Sequence, residues 1–208
     1  VRLNSAPTAN VTLSLSDNDT TEVLASPTTL TFSSGNWSTS QVITLTGVDD
    51  NVSDGSQSTL LTLTPSSSGD SKYNSSSLAQ SLTTVTTDND TVGLVLSKTT
   101  ATLSESGTTD NFSVVLTSEP TANVTLTLSD NDSTEVTASP TSLSFSSGNW
   151  SVAQWVSLTG KDDNVSDDNQ TTLLTLTPSG GDYGSVSAQT LTVTTSDNDT
   201  VGLVLSKS

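Results

Sequence analysis

The acidic side chains of this chain gather in turns. They form SDND at 16–19 and 129–132, DDNVSD at 49–54 and 162–167, and DND at 88–90 and 197–199, with Glu22, Glu105 and Glu135 between them. Almost none has a Lys or Arg nearby in sequence. Two carboxylates about 4 Å apart repel by roughly 1 kcal/mol in water and by about 4 kcal/mol at an effective dielectric of 20. A chain that collects them without counter-charges either solvates itself or holds a cation. The ligand set is oxygen only, since the chain has neither His nor Cys. Such a set selects a hard ion, and calcium takes six to eight oxygens of this kind. Asp and Asn also make β-turns unaided. The turn reading is the stronger one for SDND, whereas DD…D and the closing DND read as calcium ligands. Paired carboxylates can serve glycoside hydrolysis. With no His or Cys for base or nucleophile, and the same acids repeated at fixed points, a structural ion fits better, and the chain reads as a non-enzyme.

Composition narrows the partners. Twenty-two acidic residues face five basic ones, a net charge of −17. That disfavours nucleic acid, which needs clustered Lys/Arg, and an anionic membrane surface. No apolar run reaches the length of a membrane span. Without Cys there is no disulfide and no thiol chemistry.

The elements that must carry these acids follow a period of two. Val124, Leu126 and Leu128 alternate with Thr125 and Thr127; Leu143 and Phe145 flank Ser144; Leu191 and Val193 alternate with Thr192 and Thr194. Such runs, bounded by Asp/Asn/Gly/Ser/Pro clusters, are half-buried strands with Thr outward. This overrules the disordered look of a chain in which 80 of 208 residues are Ser or Thr. No helical period is present. The chain also repeats itself. Residues 7–37 return at 120–150 with five differences, four of them Ser/Thr swaps; TGVDDNVSD (46–54) returns as TGKDDNVSD (159–167), and DNDTVGLVLSK recurs at 88–98 and 197–207. A period near 110 is one small domain, and about seven short strands in that length predict a β-sandwich. The expected architecture is all-β: tandem antiparallel, Ig-like Greek-key sandwiches. Residues 1–91 form a repeat lacking its first strand, 92–200 a complete one, and 201–208 the opening strand of a third.

One stretch of the complete repeat is more specific. A strand ends in Glu105; then come LSF, Trp150, DDNVSDD and a last strand closing on DND. This pattern resembles the Calx-β domain family, calcium-binding β-sandwiches of exchangers and large surface proteins. The resemblance implies calcium ligands at one end of each sandwich. In the second repeat these are Glu105, Glu135, Asp162, Asp163, Asp167, Asp197 and Asp199; in the first, Glu22, Asp49, Asp50, Asp54, Asp88 and Asp90. The chain departs from the family where its acidic loop usually carries Glu, and these positions read Ser, Asp, Asn or Gln.

DND closes one repeat and TVGLVLS opens the next at once, so an ion there would stiffen the joint. Trp37 and Trp150 are equivalent and belong to the cores. Trp155, out of phase with Val156 and Leu158, belongs on an outer face, where it offers a sugar-stacking platform. Thirteen of 14 Asn sit in Asn-x-Ser/Thr, which suits a glycosylated surface protein. The sequence reading is therefore an extracellular stalk, adhesin or filament segment rigidified by calcium. Its partners are adjacent repeats or identical subunits joined head-to-tail, with surface glycans as a second class. The end segment 201–207 reads either as a cut through a longer array or as a strand that inserts into the first repeat of a neighbour.

Overall fold

The computed structural model describes residues 1–205 apart from Ser68 and Asn131. Asn131, part of one SDND turn and one Asn-x-Ser site, and residues 206–208 of the expected donor strand lie outside the described residues. Among those described the chain is all-β, with two short 3-10 turns and no α-helix. It divides into two compact units, 1–50 with 54–89 and 51–53 with 90–208. The boundary thus falls inside the DND of 88–90, leaving Asp88 in the first unit and Asp90 in the second.

Among the described residues the first unit has six strands: β1 (Val11–Asp17), β2 (Val23–Ser26), β3 (Thr29–Phe32), β4 (Thr44–Gly47), β5 (Gln57–Ser66) and β6 (Gln80–Thr86). Its sheets run β3-β1-β5-β6 and β2-β4. The described residues of the second unit form nine: β7 (Leu94–Leu96), β8 (Thr100–Ser104), β9 (Thr109–Leu116), β10 (Val124–Asp130), β11 (Val136–Ser139), β12 (Ser142–Phe145), β13 (Gln154–Gly160), β14 (Gln170–Ser179) and β15 (Gln189–Ser196). Here a five-stranded sheet, β12-β10-β14-β15-β8, packs on a four-stranded one, β11-β13-β9-β7. Pairing is antiparallel except at one edge, where β8 runs parallel to β15 with Thr192 opposite Thr100 and Ser196 opposite Ser104.

Alternation explains the burial. Thr172, Leu174, Leu176 and Pro178 of β14 point inward and their neighbours outward. Pro178 lacks an amide proton, and it lies beyond the last residue that pairs with β15, Leu176, so that side of the ladder loses nothing there. The core of the second unit joins both sheets: Phe112, Val114, Val156 and Leu158 from one, Leu126, Leu174, Leu191 and Val193 from the other. The SSGNW turn closes on its Asn in both repeats, with Ser33 N–H donating to Asn36 Oδ1 and Ser146 N–H to Asn149 Oδ1, each at 2.6 Å. The core cluster of the first unit is smaller: Leu3, Val11, Leu13, Leu30 and Phe32.

Candidate metal centre

All the strand ends that carry acids in the second unit meet at one end of the sandwich. β8 runs out into Glu105, whose amide donates to Ser196 O at 3.1 Å. β15 runs out into Asp197 and Asp199. β13 ends at Gly160 and continues into the acidic loop, and Glu135 opens β11, its carbonyl accepting from Lys161 N–H at 2.9 Å. Gly160 is required here: a Cβ would stand 2.2 Å from Ser104 O.

Glu105, Asp197 and Asp199 form a convergent group, one carboxylate oxygen of each lying within 4.8 Å of the others. Glu105 is 1% exposed and Glu135 is 3% exposed. Glu105 Oε2 accepts from Asn198 N–H at 3.3 Å, but its Oε1 meets no donor. Glu135 Oε2, Asp199 Oδ2 and the hydroxyls of Thr172 and Thr195 are also buried without a partner. Burial holds the carboxyl groups of Glu105, Glu135 and Asp199 above their ordinary range. Neighbouring charges add to this: Asp197, Asp163 and Asp167 for Glu105; Asp167 and Glu105 for Glu135; Asp197 and Asp162 for Asp199. Desolvation and like charge both penalise ionised carboxylates, and a bound cation relieves both. The donor set is oxygen only, partly buried and short of positive charge, and it fits a hard divalent ion.

The acidic loop is tied to this centre by hydrogen bonds. Asp168 N–H donates to Asp197 Oδ2 at 2.9 Å, Asn169 Oδ1 accepts from Asp197 N–H at 3.2 Å, and Ser166 Oγ donates to Asp199 O at 3.2 Å. Asp168 reaches its bond with a φ of 68°; the equivalent residue of the first unit is Gly55, φ 76°. Asp162 and Asp163 are partly committed, the first accepting from Asn198 Nδ2 at 2.9 Å and the second from Val165 N–H at 2.7 Å. Asp167 is exposed and acts on the buried carboxylates by charge.

The first unit has a thinner version. Glu22 is 8% exposed, and burial followed by Asp54, Asp19, Asp50 and Asp88 pushes its carboxyl up. Asp88 Oδ2 accepts from Gly55 N–H at 2.8 Å. Asp49 is exposed, and Asp90, half-buried, falls in the second unit.

The SDND segments are turns. Asp19 and Asp132 accept from the amides of Thr21 and Thr134, each at 3.1 Å, and the Thr134 hydroxyl, followed by its amide, holds Asp132 below the usual carboxylate range. Sequence reasoning missed the buried hydroxyls of Thr172 and Thr195. The signal was present: Thr172 is in phase with Leu174 and Leu176, and Thr195 with Leu191 and Val193, which places both inward.

No family model matches the chain, and no curated protein sequence matches it. Among solved structures it is similar to CBD12 from CALX1.2, at 13% identity and TM-score 0.42, covering 94% of this chain and 90% of that one. It is similar to domains 4 and 5 of the S-layer protein SbsC, at 12% identity and TM-score 0.40, covering 88% and 97%. It is also similar, over 50% of its length, to a Bacteroides ovatus GH5 xyloglucanase at 14% identity and TM-score 0.36, and spans 19% of that chain. These likenesses are remote, and the reading of the site rests on its own side chains.

Proposed function

We propose that the chain is a structural, non-catalytic segment of an extracellular stalk, adhesin or surface filament, built from repeated β-sandwiches that calcium rigidifies. The observation that carries the reading is the convergence of Glu105, Asp197 and Asp199, with Glu105 Oε1 and Asp199 Oδ2 buried and unpartnered. The near-identity of the repeats and the net charge of −17 support it: spacing and reach come from repetition, and solubility from charge. In the second unit Glu105, Asp197, Asp199 and Glu135 would hold the ion, with the 162–167 loop adding field. These groups come from positions far apart in sequence, so ion binding there contributes to folding free energy. Mass action gives about 2.7 kcal/mol at calcium 100-fold above its dissociation constant. Calorimetry of the chain in EDTA and in calcium tests this: the melting temperature rises with calcium in the wild type and not in a Glu105→Gln, Asp197→Asn, Asp199→Asn variant. Identical wild-type curves would sink the calcium reading.

One observation favours a second reading, a glycan-binding adhesion module. Trp155 is 58% exposed on the outer face of β13, opposite Ser113 of β9. Its ring could stack on a sugar, with hydroxyls beside it. Glycan-array binding abolished by Trp155→Ala would favour that reading over a purely structural role.

A further inference from the structure

Two threonines of the second unit stand where the alternation calls for an aliphatic side chain. Thr172 continues the inward row of Leu174 and Leu176 on β14, and Thr195 that of Leu191 and Val193 on β15. Both are 0% exposed. Neither hydroxyl has a hydrogen-bond partner among the described residues. Leaving a buried hydroxyl unpaired is costly, and valine offers the same shape without that cost.

The sheet register sets the two hydroxyls in line with the metal centre. Thr195 stands opposite Gln170, so Thr172 is its diagonal neighbour on the inward face. Thr195 also stands opposite Leu103 of the parallel strand β8. Glu105 follows Leu103 on the same face and is the diagonal neighbour of Thr195 on that side. Diagonal positions lie about 7–8 Å apart, too far for short side chains to bond directly and near enough for one water to span. The line Thr172, Thr195, Glu105 therefore runs from the apolar core to the acidic end. Its last member offers Oε1, which meets no donor, while Oε2 accepts from Asn198 N–H at 3.3 Å. Glu135, leading into β11 of the other sheet, adds a second buried and unpartnered oxygen.

The first unit repeats part of this arrangement. Thr59, the counterpart of Thr172, is also 0% exposed with an unpartnered hydroxyl. Thr86, the counterpart of Thr195, donates its hydroxyl to Glu22 O at 3.1 Å. There the hydroxyl is tied to the backbone of the buried acid.

We propose that Thr172 and Thr195 are positioning residues of the metal centre, whose hydroxyls hold buried water against Glu105 Oε1 and so fix the carboxylate that the ion meets. A buried water needs about two to four polar partners. The two hydroxyls, with the free oxygens of Glu105 and Glu135, supply them. Glu105 is then restrained on both sides, by Asn198 N–H at Oε2 and by water at Oε1. Without the second restraint its carboxylate is free to turn about its last torsion, which is soft in Glu, and an oxygen leaves the group it forms with Asp197 and Asp199. The proposal rests on the calcium reading and adds to it two residues that do not touch the ion.

The test sets two double variants of the full chain against each other. Thr172→Val with Thr195→Val removes the hydroxyls and keeps the shape. Thr172→Ser with Thr195→Ser keeps the hydroxyls and removes buried methyl groups. Calorimetry in EDTA shows that each variant folds, and Thr195→Val alone carries the comparison if the double Val variant does not. Hydrogen exchange of β8 and β15 peptides over a calcium titration reads the second unit by itself. The Val variant is expected to need roughly 10–100-fold more calcium than wild type for the same protection, the range that follows loss of an outer partner of a metal ligand. The Ser variant is expected to melt lower in EDTA, through its lost methyl groups, yet to keep the wild-type calcium midpoint. A Val variant with the wild-type midpoint overturns the proposal and leaves the calcium reading standing. A Ser variant that loses affinity as the Val variant does also overturns it, because packing alone then accounts for the loss. A wild-type chain that gains no protection from calcium removes the calcium reading and this proposal together.

Discussion

Leu191 and Leu82 occupy the same place in the two repeats, in QTLTV and QSLTT respectively, yet Leu191 is 0% exposed and Leu82 is 57% exposed. In the second unit β8 and β9 complete the cover over this face. In the first unit β6 has no strand on its outer edge among the described residues. Truncating Leu191 to Ala removes fully buried methyl groups and leaves an enclosed hole, a change that costs about 3–5 kcal/mol. Leu82 retains less than half of its burial. Of the roughly 1.5–3 kcal/mol for burying a whole Leu side chain, under half is at stake, and no closed cavity forms, so Leu82→Ala should cost about 0.5–1.3 kcal/mol. The expected gap is about 3 kcal/mol, or roughly 10–20 °C in melting temperature for a domain of about 100 residues. Hydrogen exchange read by mass spectrometry follows each unit separately in either variant, through peptides of β5 and β6 or of β14 and β15. Equal losses would refute the reasoning that β8 and β9 supply the burial of Leu191.

Two further outcomes concern the acidic end. Glu105, Glu135 and Asp199 have carboxyl groups raised in the fold, by burial first and neighbouring carboxylates second. Their contribution to stability is therefore full below the ordinary carboxylate value and lost as pH rises through the raised ones. Without calcium the second unit should melt higher at about pH 4.5 than at pH 7.5, and calcium, which binds the ionised form, should reverse that order. The window stays above the range of Asp110 and Asp132, which Lys98 and Thr134 hold low and which act in the opposite sense. A calorimetric profile that is flat or rises with pH in EDTA would contradict the assignment. Gly160→Ala forces a Cβ to 2.2 Å from the Ser104 carbonyl, an overpacking of backbone that costs roughly 1–3 kcal/mol. It should also weaken calcium binding by displacing Glu105, whereas Gly47→Ala, whose Cβ meets only Thr86 Cγ2 at 3.5 Å, should do neither; titration calorimetry of both variants compares them.

The all-β class was legible because period-two alternation is a local property. Val124 to Leu128 and Leu191 to Val193 state their inward faces without reference to any partner, and the structure buries these residues as expected. The duplication made domain size legible as well. What sequence could not supply was pairing. Nothing in TTATLSES announces that β8 runs parallel to β15, and that one pairing sets Glu105 beside Asp197. The acids were visible as a set, but their ranking was not. Asp162, Asp163 and Asp167 look equal to Asp197 and Asp199 in a string of letters. In the fold the first two are partly committed to Asn198 and Val165 and the third is exposed, while Asp197 and Asp199 converge on Glu105. Likewise the closing DND of 88–90 reads as one motif, yet a unit boundary divides it.

Glu105 couples the apolar core to the acidic end of the second unit. It lies two residues beyond Leu103, which is 2% exposed and faces the core, while Glu105 itself is 1% exposed and faces the acidic end. The same short strand therefore covers apolar surface and delivers the most deeply buried carboxylate. Before it docks, the sandwich has an open edge and a site lacking one ligand. Once it docks, burial raises the cost of every ionised group around it, and on the calcium reading the ion offsets that cost. Hydrophobic closure and ion binding then stabilise the same pairing of β8 with β15, and neither is complete without the other.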